Sequence, residues 1–117
     1  MPETIDAYTK NDYLEALRKC EPIADHEMRL FRAHYSADDQ TATATELAQA
    51  VGYKNYSGVN LQYGRFAGRL CEAFNRDLPT KLEILLTFKK PDRAKNGHWR
   101  FVMRQQVVEA ARDLGWL

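Results

Sequence analysis

Apolar side chains recur along most of this chain at the three- and four-residue spacings of amphipathic helices. These spacings predict a first helix over about Lys10–Lys19, with Thr9 as its N-cap, and a second over about Ala24–Tyr35. Glu21-Pro22 separates the two, because proline cannot continue the hydrogen-bond ladder of a helix. The polar segment Ser36–Gln40 is predicted to be a loop.

Residues 43–74 predict a capped helix, a glycine turn and a second helix. Thr43 and Glu46 match the S/T-x-x-E capping box, and Gly52 stands where a left-handed residue ends such a helix. Ser57 is the predicted cap of the next helix, which covers 58–74. One stripe of that helix is apolar and is predicted to face the core: Val59, Tyr63, Phe66, Leu70 and Phe74.

After residue 80 the pattern changes from helix to strand. The apolar run Leu82–Phe88 predicts a buried strand. Large apolar residues at 99, 101 and 103 alternate with Arg100, Val102 and Arg104, and this period of two predicts a second strand over Trp99–Arg104. Lys89–Gly97 is the polar turn between these strands. A final helix is predicted over Gln105–Leu114, after which Trp116-Leu117 returns to the core.

These elements predict a single domain over residues 1–117, mainly α with a small β-hairpin (α+β) and winged helix-turn-helix-like. A chain of 117 residues with 44% hydrophobic and 28% charged side chains suits one ordinary globular core. No apolar run approaches the roughly 18 residues of a membrane span. The N-terminal MPETIDAYTK lacks the apolar centre of a signal peptide, so we expect a cytoplasmic protein without a membrane partner.

Charge is distributed unevenly along the chain although the net charge is only +1. Residues 1–50 carry five Lys or Arg against ten Asp or Glu, whereas residues 51–117 carry twelve against six. This asymmetry favours one face that meets an anionic partner such as nucleic acid. An uneven scatter of charge in a short protein is the simpler alternative.

Helix 58–74 and the turn before it carry outward side chains of the types that read base edges in the major groove. Hairpin 82–103 is predicted to be a wing that lies on the phosphate backbone. A solvated helix face and a soluble loop are the plainer alternatives. The candidate double-stranded DNA contacts are Lys54, Asn55, Tyr56, Ser57, Asn60, Gln62, Arg65 and Arg69, with Lys89, Lys90, Arg93 and Lys95 in the hairpin.

Gly64 and Gly68 lie inside this helix, where each glycine costs about 1 kcal/mol relative to alanine. Close approach by another backbone would explain both. Packing against a neighbouring helix is the favoured cause, with nucleic acid as the alternative.

Catalytic motifs are missing from the sequence. There is no H-E-x-x-H, Walker loop, G-x-G-x-x-G after a strand or G-x-S-x-G, and Cys20 and Cys71 lack the spacing of a zinc pair. The two cysteines are read as buried thiols. We therefore expect a binding protein that is not an enzyme and needs no cofactor or metal.

Several segments of this chain resemble one known family: Thr43–Ala48, Gly52–Tyr56, Asn60 with Gln62–Gly64, and His98–Arg104 with Leu114–Trp116. The family is a domain that precedes HNH nuclease modules in bacterial proteins similar to modification-dependent restriction endonucleases. The resemblance covers most of residues 25–117 and implies a DNA-recognition module of a restriction system. The HNH part is absent, so the resemblance does not carry cleavage over to this chain. A nuclease domain or another protein is the kind of partner that it suggests.

Two further readings stay open. If modified bases are read, the base either is flipped between the aromatic rings of Tyr53, Tyr56 and Trp99 or is contacted in the groove. The alternative to DNA binding is a protein–protein adaptor, inhibitor or regulator that uses the acidic half, and homodimerisation is compatible with both. The acidic residues concerned are Asp6, Asp12, Glu15, Glu21, Asp25 and Glu27.

Overall fold

The computed structural model describes residues 5–91 and 98–117, which form five α-helices, three short 3-10 helices and one sheet of three strands. This is the mainly α, α+β architecture that the sequence predicts. No helix among these residues is long and apolar enough to cross a membrane. The helices are α1 (Lys10–Lys19), α2 (Asp25–Ser36), α3 (Ala44–Val51), α4 (Tyr56–Phe74) and α5 (Gln105–Asp113). The strands are β1 (Thr41–Thr43), β2 (Leu86–Lys89) and β3 (Arg100–Met103).

Side-chain caps set the starts of α1 and α3, as predicted. Thr9 Oγ1 accepts from the Asp12 amide at 3.2 Å while Asp12 Oδ2 accepts from the Thr9 amide at 2.8 Å. Thr43 and Glu46 exchange the equivalent bonds at 3.0 and 2.9 Å. Each pair satisfies two amides that have no partner within the helix. Gly52, with φ of +82°, then ends α3 in the left-handed region.

The predicted cap of α4 at Ser57 is wrong. The helix begins at Tyr56, and the side chain of Asn55 is the cap, since its Oδ1 accepts from the Ser57 amide at 2.9 Å. Asparagine is as good an N-cap as serine, so composition did not separate the two. The consequence is that Ser57 lies in the first turn of α4.

The sheet differs from the predicted hairpin in two respects. β1 was missed and lies beside β3, so the strand order is β1-β3-β2, with both pairs antiparallel. The predicted strand Leu82–Phe88 is correct only in its second half, because Lys81–Ile84 forms a 3-10 helix. Tyr13 on α1 donates its hydroxyl to the Ile84 carbonyl at 2.7 Å, which satisfies that buried backbone group outside the sheet.

Helix α4 runs through the core. All five residues of its predicted apolar stripe are buried, and they belong to one cluster with buried side chains from the other four α-helices and from the sheet. Trp116 also folds back onto the core as predicted, and its carbonyl accepts from Arg32 Nε on α2 at 2.9 Å. This packing holds the turn before α4 and the first turns of α4 in a fixed orientation.

The predicted packing of a neighbouring helix against Gly64 and Gly68 is wrong, whereas close approach by nucleic acid stays a prediction. A Cβ added at either glycine would meet no heavy atom within 4 Å. The crowded glycine is Gly58, where a Cβ would come within 2.8 Å of Cδ2 of Tyr53. The ring of Tyr53 therefore lies across Gly58, and the turn before α4 folds back onto the helix there.

Candidate nucleic-acid interface

The turn between α3 and α4 presents polar and basic side chains at one end of the longest helix. Lys54, Asn55, Tyr56, Ser57 and Asn60 are all exposed. The first turn of α4 contains no acidic residue, so nothing opposes the positive end of the dipole of this 19-residue helix. Such a helix end is compatible with an anion or with base edges that carry acceptors.

The sheet brings the start of β3 to the same region. In the register of the three strands, Arg100 lies opposite Thr43 on one side and Lys89 on the other. Thr43 is also the cap of α3, so the edge of the sheet and the start of that helix are directly joined. Trp99 and His98, which precede β3, are both exposed. The base of the hairpin therefore adjoins the helix pair.

A cleft of about 300 Å³ joins these two parts. Tyr56 and Asn60 from α4 border it together with His98 and Trp99 before β3, and Ala44, Thr45 and Phe101 complete its wall. Tyr56 and Trp99 are 53% and 54% exposed, and with Leu61 they are the large exposed hydrophobic residues among those described. Half-exposed aromatic rings that share a cleft with an amide and an imidazole are typical of a binding surface.

A second cleft, of about 500 Å³, opens where the cations of the sheet meet acidic residues. Successive residues of a strand point to opposite faces, so Arg100 points away from Phe101 and into this second cleft with Lys89. Asp38, Asp39 and Glu46 line it as well. Arg100 Nη2 donates to the Lys90 carbonyl at 3.2 Å. The acidic residues weaken the positive potential around Lys89, so this cleft is a poor site for phosphate.

Arg69 and Gln62 lie away from the first cleft and face α2. Both oxygens of the Glu27 carboxylate accept from Arg69 Nη2, at 3.1 and 3.0 Å, and Glu27 is buried. The guanidinium also lies 5.0 Å from the ring centre of Phe66. Gln62 lines a small gap beside Glu27 and Leu30. Of the predicted contacts on α4, Arg65 remains an exposed arginine, whereas Arg69 is engaged in an ion pair.

The hairpin residues are only partly described. Lys89 and Lys90 are exposed at the end of β2, and Arg100 is half-buried. Arg93 and Lys95, which were predicted to contact phosphate, lie outside the described residues. Tyr53 packs on Gly58 and does not border the first cleft, so two of the three nominated aromatic residues, Tyr56 and Trp99, share it.

A buried histidine that the sequence analysis did not single out ties this surface to the core. His34 on α2 is fully buried, with Nδ1 2.6 Å from the Tyr63 hydroxyl and Nε2 2.9 Å from the Phe101 carbonyl. A carbonyl only accepts, so Nε2 carries the proton and Tyr63 donates to Nδ1. Burial lowers the pKa of His34 to about 4, which keeps the imidazole neutral. His34 follows Leu30 by four residues, and this helical spacing was the signal in the sequence that could have placed His34 on the buried face of α2.

Three of the six acidic residues named for the adaptor alternative make contacts within the fold. Asp6 pairs with Arg104, Asp12 caps α1, and Glu27 pairs with Arg69. Cys20 and Cys71 are free thiols, and Cys71 is buried. Within residues 5–91 and 98–117, no group of three or more His, Cys, Asp or Glu is placed to hold a metal ion.

Comparisons of this chain with known protein families, with curated proteins and with solved structures found no match.

Proposed function

We propose that this chain is a duplex-DNA-binding module with a winged helix-turn-helix-like arrangement. One observation carries the proposal: the exposed N-terminal residues of α4 and the base of the β2–β3 hairpin border one cleft. In this arrangement α4 enters the major groove and the hairpin follows the backbone. Recognition helices contact base edges mainly through their first turns, where Tyr56 and Asn60 stand here.

The order of the elements supports this proposal by analogy. A short strand, β1, precedes the helix pair α3 and α4, and the hairpin of β2 and β3 follows it, with β3 in the centre of the sheet. A winged helix-turn-helix has this sequence of parts. Because a fold hosts many functions, the charge and exposure of the named side chains carry the functional argument.

The proposed contacts divide into two classes. Asn60 and Arg65 have the side chains that make bidentate contacts to adenine or guanine edges, whereas Oδ1 of Asn55 is engaged in capping α4. Lys54 at the turn and Lys90 at the hairpin are exposed cations that would contact phosphates and add salt dependence. We leave Arg69 and Gln62 out of the interface because they face α2.

The resemblance to domains upstream of HNH modules adds a specific ligand to the proposal. If this chain serves a modification-dependent restriction system, cytosine-methylated duplex should bind more tightly than the same unmodified duplex. The methyl group would then be read either in the groove or after the base is extruded.

The test is a titration of labelled duplex DNA, unmodified and methylated, followed by fluorescence anisotropy at about 50 and about 200 mM salt. We expect binding that weakens with salt, and a salt slope that falls by about 1 in Lys54→Ala. Arg29→Ala is the matched control, because Arg29 is an exposed arginine on α2 in the acidic half. Folded protein that binds no duplex at low salt would refute the proposal and turn attention to an adaptor role.

A further inference from the structure

We propose that the cleft between Tyr56 and Trp99 binds a single unstacked base of DNA. This inference rests on the proposed DNA-binding function and adds the ligand of one particular cleft. It starts from the exposure of the two rings, each of which leaves about half of its surface in water in the described structure. Exposed Trp and Tyr side chains are characteristic of surfaces that stack bases.

The two rings differ from the aromatic residues of the core. Tyr8, Tyr13, Phe31, Phe66 and their neighbours pair ring to ring, with centroids 4.4 to 6.4 Å apart. Among the residues that the structure describes, neither Tyr56 nor Trp99 has such a ring pair. They line the same cleft from different elements. A planar ligand is the shape that adds the missing stacking contacts.

The remaining walls of the cleft suit a base. Asn60 presents both a carbonyl and an amino group, the pair of atoms that bonds two positions on one edge of adenine. Thr45 adds a hydroxyl and His98 a ring nitrogen, while Phe101 closes the apolar floor. The volume of about 300 Å³ is at the lower end of ligand pockets, which fits one nucleotide and excludes a long stacked segment.

The surroundings favour a base that is attached to a phosphate backbone. Lys54 lies two residues before Tyr56, and the amides at the start of α4 face the same end of the helix. Lys90 follows β2 at the end of the sheet that carries Trp99. An unstacked base in the cleft would therefore leave its flanking phosphates near positive charge.

The experiment compares three labelled DNAs of the same sequence by anisotropy: paired duplex, duplex with an abasic site opposite one base, and single strand. We expect the unpaired base to tighten binding over the paired duplex by about tenfold. Preference for the abasic duplex would identify an extruded base, and preference for the single strand would identify a base of unpaired DNA. Quenching of Trp99 fluorescence, isolated in Trp116→Phe, should accompany either.

Variants separate the cleft from the rest of the interface. Trp99→Ala and Tyr56→Ala should each remove most of the roughly tenfold gain for the unpaired base, so that the ratio of affinities for the unpaired and the paired DNA falls toward one. Trp99→Phe should keep most of the gain. Leu61→Ala is the matched control, because Leu61 is 50% exposed on the same helix but does not line the cleft.

The outcomes distinguish the two proposals. Salt-dependent binding of paired duplex with no gain from an unpaired base would overturn the base cleft alone. An equal loss for all three DNAs in Trp99→Ala would also overturn it, since the ring would then support the whole surface. Failure of the folded wild-type chain to bind any DNA would overturn the proposed function together with the cleft.

Discussion

The Tyr63 hydroxyl on α4 donates to Nδ1 of His34 on α2 across 2.6 Å, in a part of the core without solvent access. The other nitrogen of the same ring bonds the Phe101 carbonyl on β3 at 2.9 Å. One imidazole thus joins α2, the proposed recognition helix and the central strand of the sheet. Phe101 also lines the cleft that Tyr56 and Trp99 share, so this network helps to set the geometry of that cleft.

Stability should fall in mild acid because of His34. Its pKa is lowered from 6.5 to about 4 by burial, so between these values the unfolded chain binds a proton that the native chain does not. The contribution of His34 is complete above about pH 6.5 and is lost as the pH falls to about 4, by on the order of 3 kcal/mol.

Urea unfolding at about pH 7 and about pH 5 measures this loss of stability, and nitrogen NMR of the imidazole identifies its source. At pH 5 we expect the spectrum of a neutral ring that is protonated at Nε2. A protonated His34 in the native protein at that pH would contradict the assignment.

Removal of the Tyr63 hydroxyl should destabilise the protein. In Tyr63→Phe the buried Nδ1 of His34 loses its donor, and an unsatisfied buried polar atom costs about 1–3 kcal/mol. Tyr35→Phe is the matched control, since Tyr35 is only half-buried on the same helix as His34. Equal unfolding free energies for the two variants, measured in urea, would show that the bond contributes nothing.

Arg65 and Arg69 should separate binding from stability, although they lie one helical turn apart on α4. Arg69→Ala removes the partner of the buried Glu27 carboxylate and should lower the free energy of unfolding by about 1–2 kcal/mol. This is less than the cost of breaking a fully buried ion pair, because the Arg69 side chain is 43% exposed and water screens the interaction. Arg65→Ala should leave the melting temperature unchanged and weaken duplex binding. Thermal unfolding and anisotropy on both variants test this pair. The reverse pattern would remove Arg65 from the interface.

The glycines of α4 should respond to alanine in opposite directions. Gly64→Ala should stabilise the protein by about 1 kcal/mol, because the new Cβ meets no neighbour and alanine is the better helix former. Gly58→Ala should destabilise it, since the Cβ would lie 2.8 Å from the Tyr53 ring. Urea unfolding measures the free energy of unfolding of both variants. A more stable Gly58→Ala variant would show that the Tyr53 ring moves aside freely. If the surface at Gly64 contacts DNA closely, Gly64→Ala should also weaken duplex binding.

Local signals in the sequence were enough to place the helices. The capping boxes at Thr9 and Thr43, the left-handed Gly52 and the apolar stripe of α4 each depend on residues within a few positions of one another. Such features act within one or two turns of backbone, so they are readable without knowledge of the tertiary fold. The predicted cap at Ser57 was wrong because Asn55, two residues earlier, is of a type that caps equally well.

Elements that depend on distant partners were the ones missed or shortened. β1 has only three residues, too few for a period of two to show, and it forms because β3 lies beside it. The run Leu82–Phe88 has strand composition throughout. Its first half becomes a 3-10 helix, where Tyr13 on α1 satisfies the Ile84 carbonyl. No residue near Ile84 in the sequence carries that information.

The candidate site divides in the same way. The sequence by itself determined that exposed polar and basic side chains surround the start of α4, because helical spacing separates them from the core stripe. Only the tertiary structure decided that Arg69 pairs with Glu27, that Tyr53 rests on Gly58, and that Tyr56 shares a cleft with Trp99. These are contacts between residues brought together by packing, and the spacing of residues along a chain does not specify which side chains meet in space.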